Sequence, residues 1–196
     1  MINPINERSI KFAVDTLKKG EIIAYPTDTL YGFGVDATND EAINKLNQLK
    51  GRTQPLSIII ADLSEIEKYA KISKKTLEKI NQYLPGPFTF LIKKRKSILS
   101  ELVTYGSEFI GIRIPYHKFP LKLVDRLKKP LITTSINKNG HAPLNKVEDI
   151  ENNYPKINIF EDKNYNNKSS IGSTIIKIDE NNIKLIRKGD GILNYE

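Results

Sequence analysis

One stretch restricts the possible folds more than any other: Ile22-Ile23-Ala24-Tyr25-Pro26-Thr27-Asp28-Thr29-Leu30-Tyr31-Gly32-Phe33-Gly34. Its first residues are a short apolar run, the pattern of a strand buried inside a sheet. Pro26 has no amide proton to donate, so the hydrogen-bond ladder stops there. A dense set of hydroxyls, the Asp28 carboxylate and two glycines follow. Loops at the end of a core strand are where a rigid scaffold presents chemistry. Gly32 and Gly34 read as points of tight turning or of close approach by a ligand. An ordinary strand-to-loop turn uses the same residue types, so the rest of the chain has to decide.

The 196 residues suffice for one sizeable core. The expectation is a single domain over residues 1–196, its core running from about 7 to 190. A hydrophobic content of 39% with 28% charged residues is that of a soluble globular protein. No apolar run has the length of a membrane span and the first residues lack an apolar signal region, so a cytoplasmic location is expected. The absence of cysteine excludes disulfides, thiol catalysis and thiolate metal sites. His117 and His141 are the remaining imidazoles, too few for a structural zinc site. A net charge of +8 favours anionic partners such as nucleotides or RNA, although lysines solvated on helix faces account for part of it.

Along the chain, Ile10, Ala13, Val14 and Leu17 recur at helical spacing over Glu7–Lys19, and Gly20 closes that helix. Asp40 reads as the N-cap of a helix that carries Ala42, Ile43, Leu46 and Leu49 inward and ends at Lys50-Gly51-Arg52. Leu56–Ala61 reads as a buried strand. Ser64 and Glu67 have the spacing of a capping box. A helix is expected over Ser73–Tyr83, a rigid turn at Pro85-Gly86-Pro87, and a half-buried strand from Phe88 to Ile92. Lys93-Lys94-Arg95-Lys96 reads as a solvated loop. Further strands are expected at Phe109–Ile114, Pro130–Thr134 and Ile157–Phe160, with helices at Phe119–Leu127 and Val147–Asn153. Asp162–Ser170 is polar and aperiodic, the pattern of a mobile loop. Ser173–Ile178 and Ile183–Arg187 flank a terminal hairpin turn. Early alternation of strands and helices with a closing hairpin implies an α/β domain built on a mixed sheet flanked by helices.

Candidate chemistry falls at strand and helix ends. Lys50 and Arg52 can hold two oxygens of one polyphosphate, or they decorate a helix C-terminus where the macrodipole favours cations. Arg113 interrupts an apolar strand, so it lies at an open face or beside an anion. Ser135 and Asn137 share a face if extended and can meet one ligand. No Walker-type loop, dinucleotide fingerprint or His/Glu metal motif is present.

Taken together, these segments resemble the YrdC-like family of threonylcarbamoyl-adenylate synthases. The resemblance runs from about Gly20 to Gly189. It rests on Tyr25-Pro26-Thr27-Asp28-Thr29-Leu30-Tyr31-Gly32, Lys50-Gly51-Arg52, Pro55-Leu56, Pro85-Gly86-Pro87-Phe88-Thr89, Arg113-Ile114-Pro115, Ser135-Ile136-Asn137, Ser173-Thr174 and Arg187. It implies a twisted mixed sheet of the YrdC/DHBP synthase type in the short, single-domain form. It also implies a nucleotidyltransferase that joins L-threonine, bicarbonate and ATP into threonylcarbamoyl-AMP, releasing pyrophosphate, for modification of the tRNA adenosine beside the anticodon. On that resemblance Lys50, Arg52, Ser135, Asn137 and Arg187 hold ATP, with Lys50 and Arg52 serving the chemistry. Thr27, Arg113 and Ser173 hold threonine and Tyr31 walls the pocket. Mg2+ is expected with ATP, a threonylcarbamoyl-transferase complex downstream, and tRNA as a partner of the basic surface.

The chain departs from the family pattern after Arg52. Only Thr53-Gln54 precede Pro55, so a second basic residue is missing, and Ile59 stands where some relatives carry histidine. Weaker nucleotide retention is the expectation. Two other readings compete: a diverged YciO-type paralogue, and a basic RNA-binding module without catalysis.

Overall fold

The computed structural model describes residues 1–51, 53–138, 140–165, 169–179 and 182–193. The strands are β1 (Ile2–Pro4), β2 (Ile23–Tyr25), β3 (Gly32–Gly34), β4 (Ser57–Ile59), β5 (Phe88–Lys93), β6 (Phe109–Arg113), β7 (Leu131–Ser135), β8 (Asn158–Glu161), β9 (Thr174–Asp179) and β10 (Asn182–Arg187). The α-helices are α1 (Glu7–Lys18), α2 (Asp40–Lys50), α3 (Lys74–Asn81), α4 (Lys118–Leu127) and α5 (Val147–Asn153). All strands join one ten-stranded sheet in the order β1-β8-β2-β3-β7-β4-β6-β5-β9-β10. β1, β8 and β2 run parallel, as do β4 with β6 and β5 with β9. The remaining pairs are antiparallel, so the sheet is mixed. None of the described helices is long and apolar enough to cross a membrane.

The apolar runs read from the sequence are continuous because the sheet is covered on both faces. Successive side chains on a strand point to opposite faces. Ile23 and Tyr25, Ile59, Leu131 and Phe160 therefore meet α1 and α4, through Ile10, Leu17, Phe119 and Leu123. Ala24, Ile58, Ile112 and Ile132 meet the other layer, where Ile43, Leu46, Ile80 and Ile150 of α2, α3 and α5 pack. Two rows of one sheet thus serve two cores. The α1/α4 layer covers only part of its face. Along β7 that face reads Leu131, Thr133, Ser135, and along β4 it reads Ile59, then Ser57. Where the helices end, the side chains change from aliphatic to hydroxyl, and the uncovered end of the sheet becomes a recess.

Capping explains most element boundaries. Asn6 and Ser9 cap α1 reciprocally. The N-cap of α2 is Asn39, whose side chain accepts from the Ala42 amide; Asp40, the expected cap, is the first helical residue and lends its charge to the positive helix end. Gly51 ends α2 in the left-handed conformation at φ 63°. The predicted capping box at Ser64 is displaced: Asp62 caps, accepting from the Ser64 amide at 2.8 Å, and the segment Leu63–Lys68 is a 3-10 helix.

Other expectations are also corrected. Gly32 and Gly34 lie within β3, a strand the sequence did not announce because a Gly-Phe-Gly run lacks alternation. A Cβ on Gly34 would come within 2.5 Å of the Tyr25 ring and 3.2 Å of the Ile132 carbonyl, so close strand packing demands the glycine. β1 was likewise unforeseen; it pairs with β8. In the basic run, Lys94 donates to the Thr104 hydroxyl at 2.9 Å and Arg95 to the Glu67 carbonyl at 2.9 Å, so these two side chains tie loops together. Within Asp162–Ser170, the expected mobile loop, Asp162 pairs with His117 and Tyr165 bonds the Thr29 carbonyl.

Candidate active site

The recess at the uncovered end of the sheet encloses about 160 Å³. Its floor carries the hydroxyls of Ser57, Thr89, Thr133 and Ser135. Thr29, Leu30 and Tyr31 form one wall, Gly172 and Ser173 the other, and the guanidinium-bearing Arg113 and Arg187 face in. No carboxylate and no lysine lines it among the described residues. A space this size lies below the roughly 300 Å³ at which pockets for drug-sized ligands begin. It accommodates a small group wholly and leaves a larger ligand protruding.

Arg113 is 7% exposed. Its Nη2 donates to Asp28 Oδ1 at 3.0 Å and to Thr29 Oγ1 at 3.2 Å, while its Nε is buried with no partner among the described residues. The anion beside the strand arginine is therefore internal. Asp28 Oδ2 also accepts the Tyr116 amide at 3.0 Å, which fixes the guanidinium from two directions. Across the recess the Ser173 hydroxyl meets that of Thr89 at 2.8 Å, and Arg187 donates to the Ser173 carbonyl at 2.7 Å. Burial, and then the Arg113 charge, hold the Arg187 guanidinium below the usual arginine range. Gly172 sits at φ 94° with Arg187 crossing it; a Cβ would lie 3.2 Å from Nη2.

Lys50 is 1% exposed. Its ammonium donates to the Ser135 carbonyl at 2.5 Å and to Asn137 Oδ1 and O at 3.1 and 3.2 Å. Ser135 Oγ donates to Asn137 Oδ1 at 2.8 Å, so the two residues do converge. Lys50 is thus not a solvated decoration of a helix end: it stands behind Ser135 and organises the Ser135–Asn137 turn. Arg52 lies outside the described residues.

The remaining expected residues divide. Ser135, Arg113, Ser173, Arg187 and Tyr31 line the recess; Lys50, Asn137 and Thr27 do not. Thr27 is buried beneath the wall, its hydroxyl accepting the Thr29 amide at 3.1 Å and donating to the Leu30 carbonyl at 2.7 Å. The Tyr31 ring packs edge-on against Tyr165, centroids 4.8 Å apart, and burial raises its phenol above the ordinary range. Ile59 points into the α1/α4 core, away from the recess. Thr89, Thr133 and Ser57 escaped the sequence reading, although hydroxyls at alternate positions of otherwise aliphatic strands were the available signal. Asn145 and Tyr165, which brace the wall, carried no signal.

A domain family designated Sua5_yciO_yrdC and described as telomere recombination matches residues 15–189. A "Putative threonylcarbamoyl-AMP synthase" of Methanocaldococcus jannaschii is 37% identical over 196 residues, spanning 96% of this chain and 91% of that protein. The "Threonylcarbamoyl-AMP synthase" of Pyrococcus abyssi is 30% identical across 94% of this chain, which spans 55% of that longer protein. Among solved structures, P. abyssi Sua5 complexed with L-threonine superposes with a TM-score of 0.87 at 28% identity, over 96% of this chain and 57% of that one. E. coli YciO matches in fold with a TM-score of 0.87 at 22% identity, over 98% and 97% of the two chains.

Proposed function

The chain belongs to the Sua5–YciO–YrdC family, and from that premise we propose that it is a threonylcarbamoyl-AMP synthase acting on L-threonine, bicarbonate and ATP. One observation carries the reading: a recess of hydroxyls and two guanidiniums without a facing carboxylate, which suits a ligand bearing several anionic oxygens. A relative named "Putative threonylcarbamoyl-AMP synthase" matches 96% of this chain at 37% identity, whereas the likeness to YciO, at 22%, concerns the fold. A module that merely attracts RNA backbone has no need of a floored, buried recess.

In this reading the threonine carboxylate seats on Arg113, whose guanidinium faces the recess, and the Thr89–Ser173 pair orients the amino-acid end. Thr27 serves indirectly, by holding the wall. The threonine nitrogen attacks the carbon of bicarbonate or its dehydrated form, giving a carbamate, with loss of water and a proton to solvent. A carbamate oxygen then attacks the α-phosphorus. The bond between that phosphorus and the α–β bridging oxygen breaks, and pyrophosphate departs. Such a transfer requires alignment and charge neutralisation more than a covalent nucleophile. Arg187 and Ser135 face the phosphates, and Lys50 acts through Ser135 and Asn137. The described residues contain no group of three or more His, Cys, Asp or Glu side chains placed to hold a metal ion, and the recess, with no carboxylate in its lining, does not fit a resident Mg2+. The divalent ion enters as the counter-ion of ATP, and no step is assigned to it. The product passes to a threonylcarbamoyl transferase acting on tRNA, in the cytoplasm.

The test is pyrophosphate release by purified protein given L-threonine, bicarbonate and ATP. Release should depend on all three. Arg113→Lys, which keeps the charge but loses the fork, should raise the threonine KM by ten-fold or more. Absence of release above an Arg113→Ala control overturns the assignment.

A further inference from the structure

The wall formed by Thr29, Leu30 and Tyr31 belongs to no strand: β2 ends at Tyr25 and β3 begins at Gly32. Its backbone groups must therefore find partners elsewhere. From inside, Thr27 takes the Thr29 amide and the Leu30 carbonyl. From outside, two side chains from distant segments take two more. Asn145 Oδ1 accepts the Tyr31 amide at 2.8 Å. The Tyr165 hydroxyl lies 2.5 Å from the Thr29 carbonyl and 2.9 Å from Asn145 Oδ1, sharing its one proton between them. The Tyr165 ring stacks edge-on against Tyr31. The same segment is tied at its other end, where Asp162 meets His117 Nε2 at 3.3 Å. Neither Asn145 nor Tyr165 lines the recess.

We propose that Asn145 and Tyr165 are positioning residues that hold the Thr29–Tyr31 wall, and through it Arg113, in the geometry that receives the amino-acid substrate. The link to Arg113 is direct. Asp28 and Thr29 Oγ1 are its two acceptors, and both ride on this turn. A turn released from Asn145 and Tyr165 drifts as a unit and takes the guanidinium's acceptors with it. The phosphate side rests on Arg187, Ser135 and Lys50, which bond none of these groups, so nucleotide affinity is independent of the brace. The inference rests on the synthase reading for its kinetic arm only.

Tyr165→Phe keeps the ring contact and removes the hydroxyl. It should raise the threonine KM about three- to ten-fold, the loss of one hydrogen bond, with the ATP KM and kcat changed less than two-fold. Asn145→Ala should do the same, and the double variant should be no worse than the poorer single, because the groups act as one unit. Asn145→Asp, which keeps an acceptor oxygen, should restore the threonine KM. Equal rises in both KM values, or a lowered melting temperature with unchanged KM values, overturn the proposal. A second readout needs no turnover. In Asn145→Ala the Tyr31 amide should exchange at least ten-fold faster with solvent deuterium, while the Phe33 amide in β3 keeps its protection. An unchanged Tyr31 amide overturns the brace. Should the unmodified protein release no pyrophosphate, the synthase reading falls and the exchange result still decides this one.

Discussion

Lys50 is a buried cation that donates to three neutral oxygens, and those bonds define its role. Burying a charge is costly unless hydrogen bonds replace its water. Here the Ser135 carbonyl and both oxygens of Asn137 do so, which makes the lysine a keystone of the turn that floors the recess. The sequence disclosed that Lys50 and Ser135-x-Asn137 mattered but not that they touch, since the contact joins a helix end to a strand 85 positions away. His117 shows a different limit. In the sequence it is only a spare imidazole, yet its Nδ1 caps α4 by accepting the Phe119 amide at 3.2 Å, and its Nε2 faces Asp162. Burial lowers its pKa below the ordinary imidazole value, and the Asp162 charge opposes that shift without overcoming it. The folded state thus prefers neutral imidazole. Between the folded and unfolded values the unfolded chain binds more protons, so this contribution is complete above about pH 6.5 and is lost as pH falls toward the folded value. Urea unfolding from pH 8 to pH 5 should show that decline, and His117→Asn, which retains a capping oxygen, should remove it.

At the scale of elements, periodicity located the helices well because amphipathic faces are local properties. α1 and α4 were found nearly to the residue, and the hairpin of β9 and β10 followed from two apolar segments around Asp179-Glu180-Asn181-Asn182, of which Glu180 and Asn181 lie outside the described residues. β1 and β3 were not found, as each exists only through partners far along the chain: β8 for one, β2 and β7 for the other. The layer of α1 and α4 is a structural cover and stands away from the chemistry. Leu123→Ala, at a fully buried position of α4, should destabilise the fold by about 2–5 kcal/mol. Denaturant titration would register that loss, while the threonine KM of the folded fraction stays within two-fold.

For the whole molecule, the mixed sheet and its flanking helices were legible, and so were five of the recess residues, Tyr31, Arg113, Ser135, Ser173 and Arg187. Their division into residues that face the ligand and residues that hold those residues was not, because sequence order carries no direction for a side chain. The molecule in hand presents a recess poised for oxyanions, so ligands should stabilise it as a unit. L-threonine with ATP, each at about a hundred times its dissociation constant, should add roughly 2.7 kcal/mol per bound ligand. For a chain of this length that amounts to about 5–10 °C in melting temperature for each ligand, and about twice that for the pair. Scanning calorimetry with and without the pair checks it, and D-threonine in place of L-threonine should leave only the shift due to ATP.

The recess draws one wall from Thr29–Tyr31, its floor from β4, β5 and β7, and its closing wall from Ser173 and Arg187. Ser173 immediately precedes β9 and Arg187 ends β10. A ribosome delivers them only after the rest of the bowl has emerged. The growing polypeptide therefore completes the recess only once β9 and β10 dock against the segments made before them.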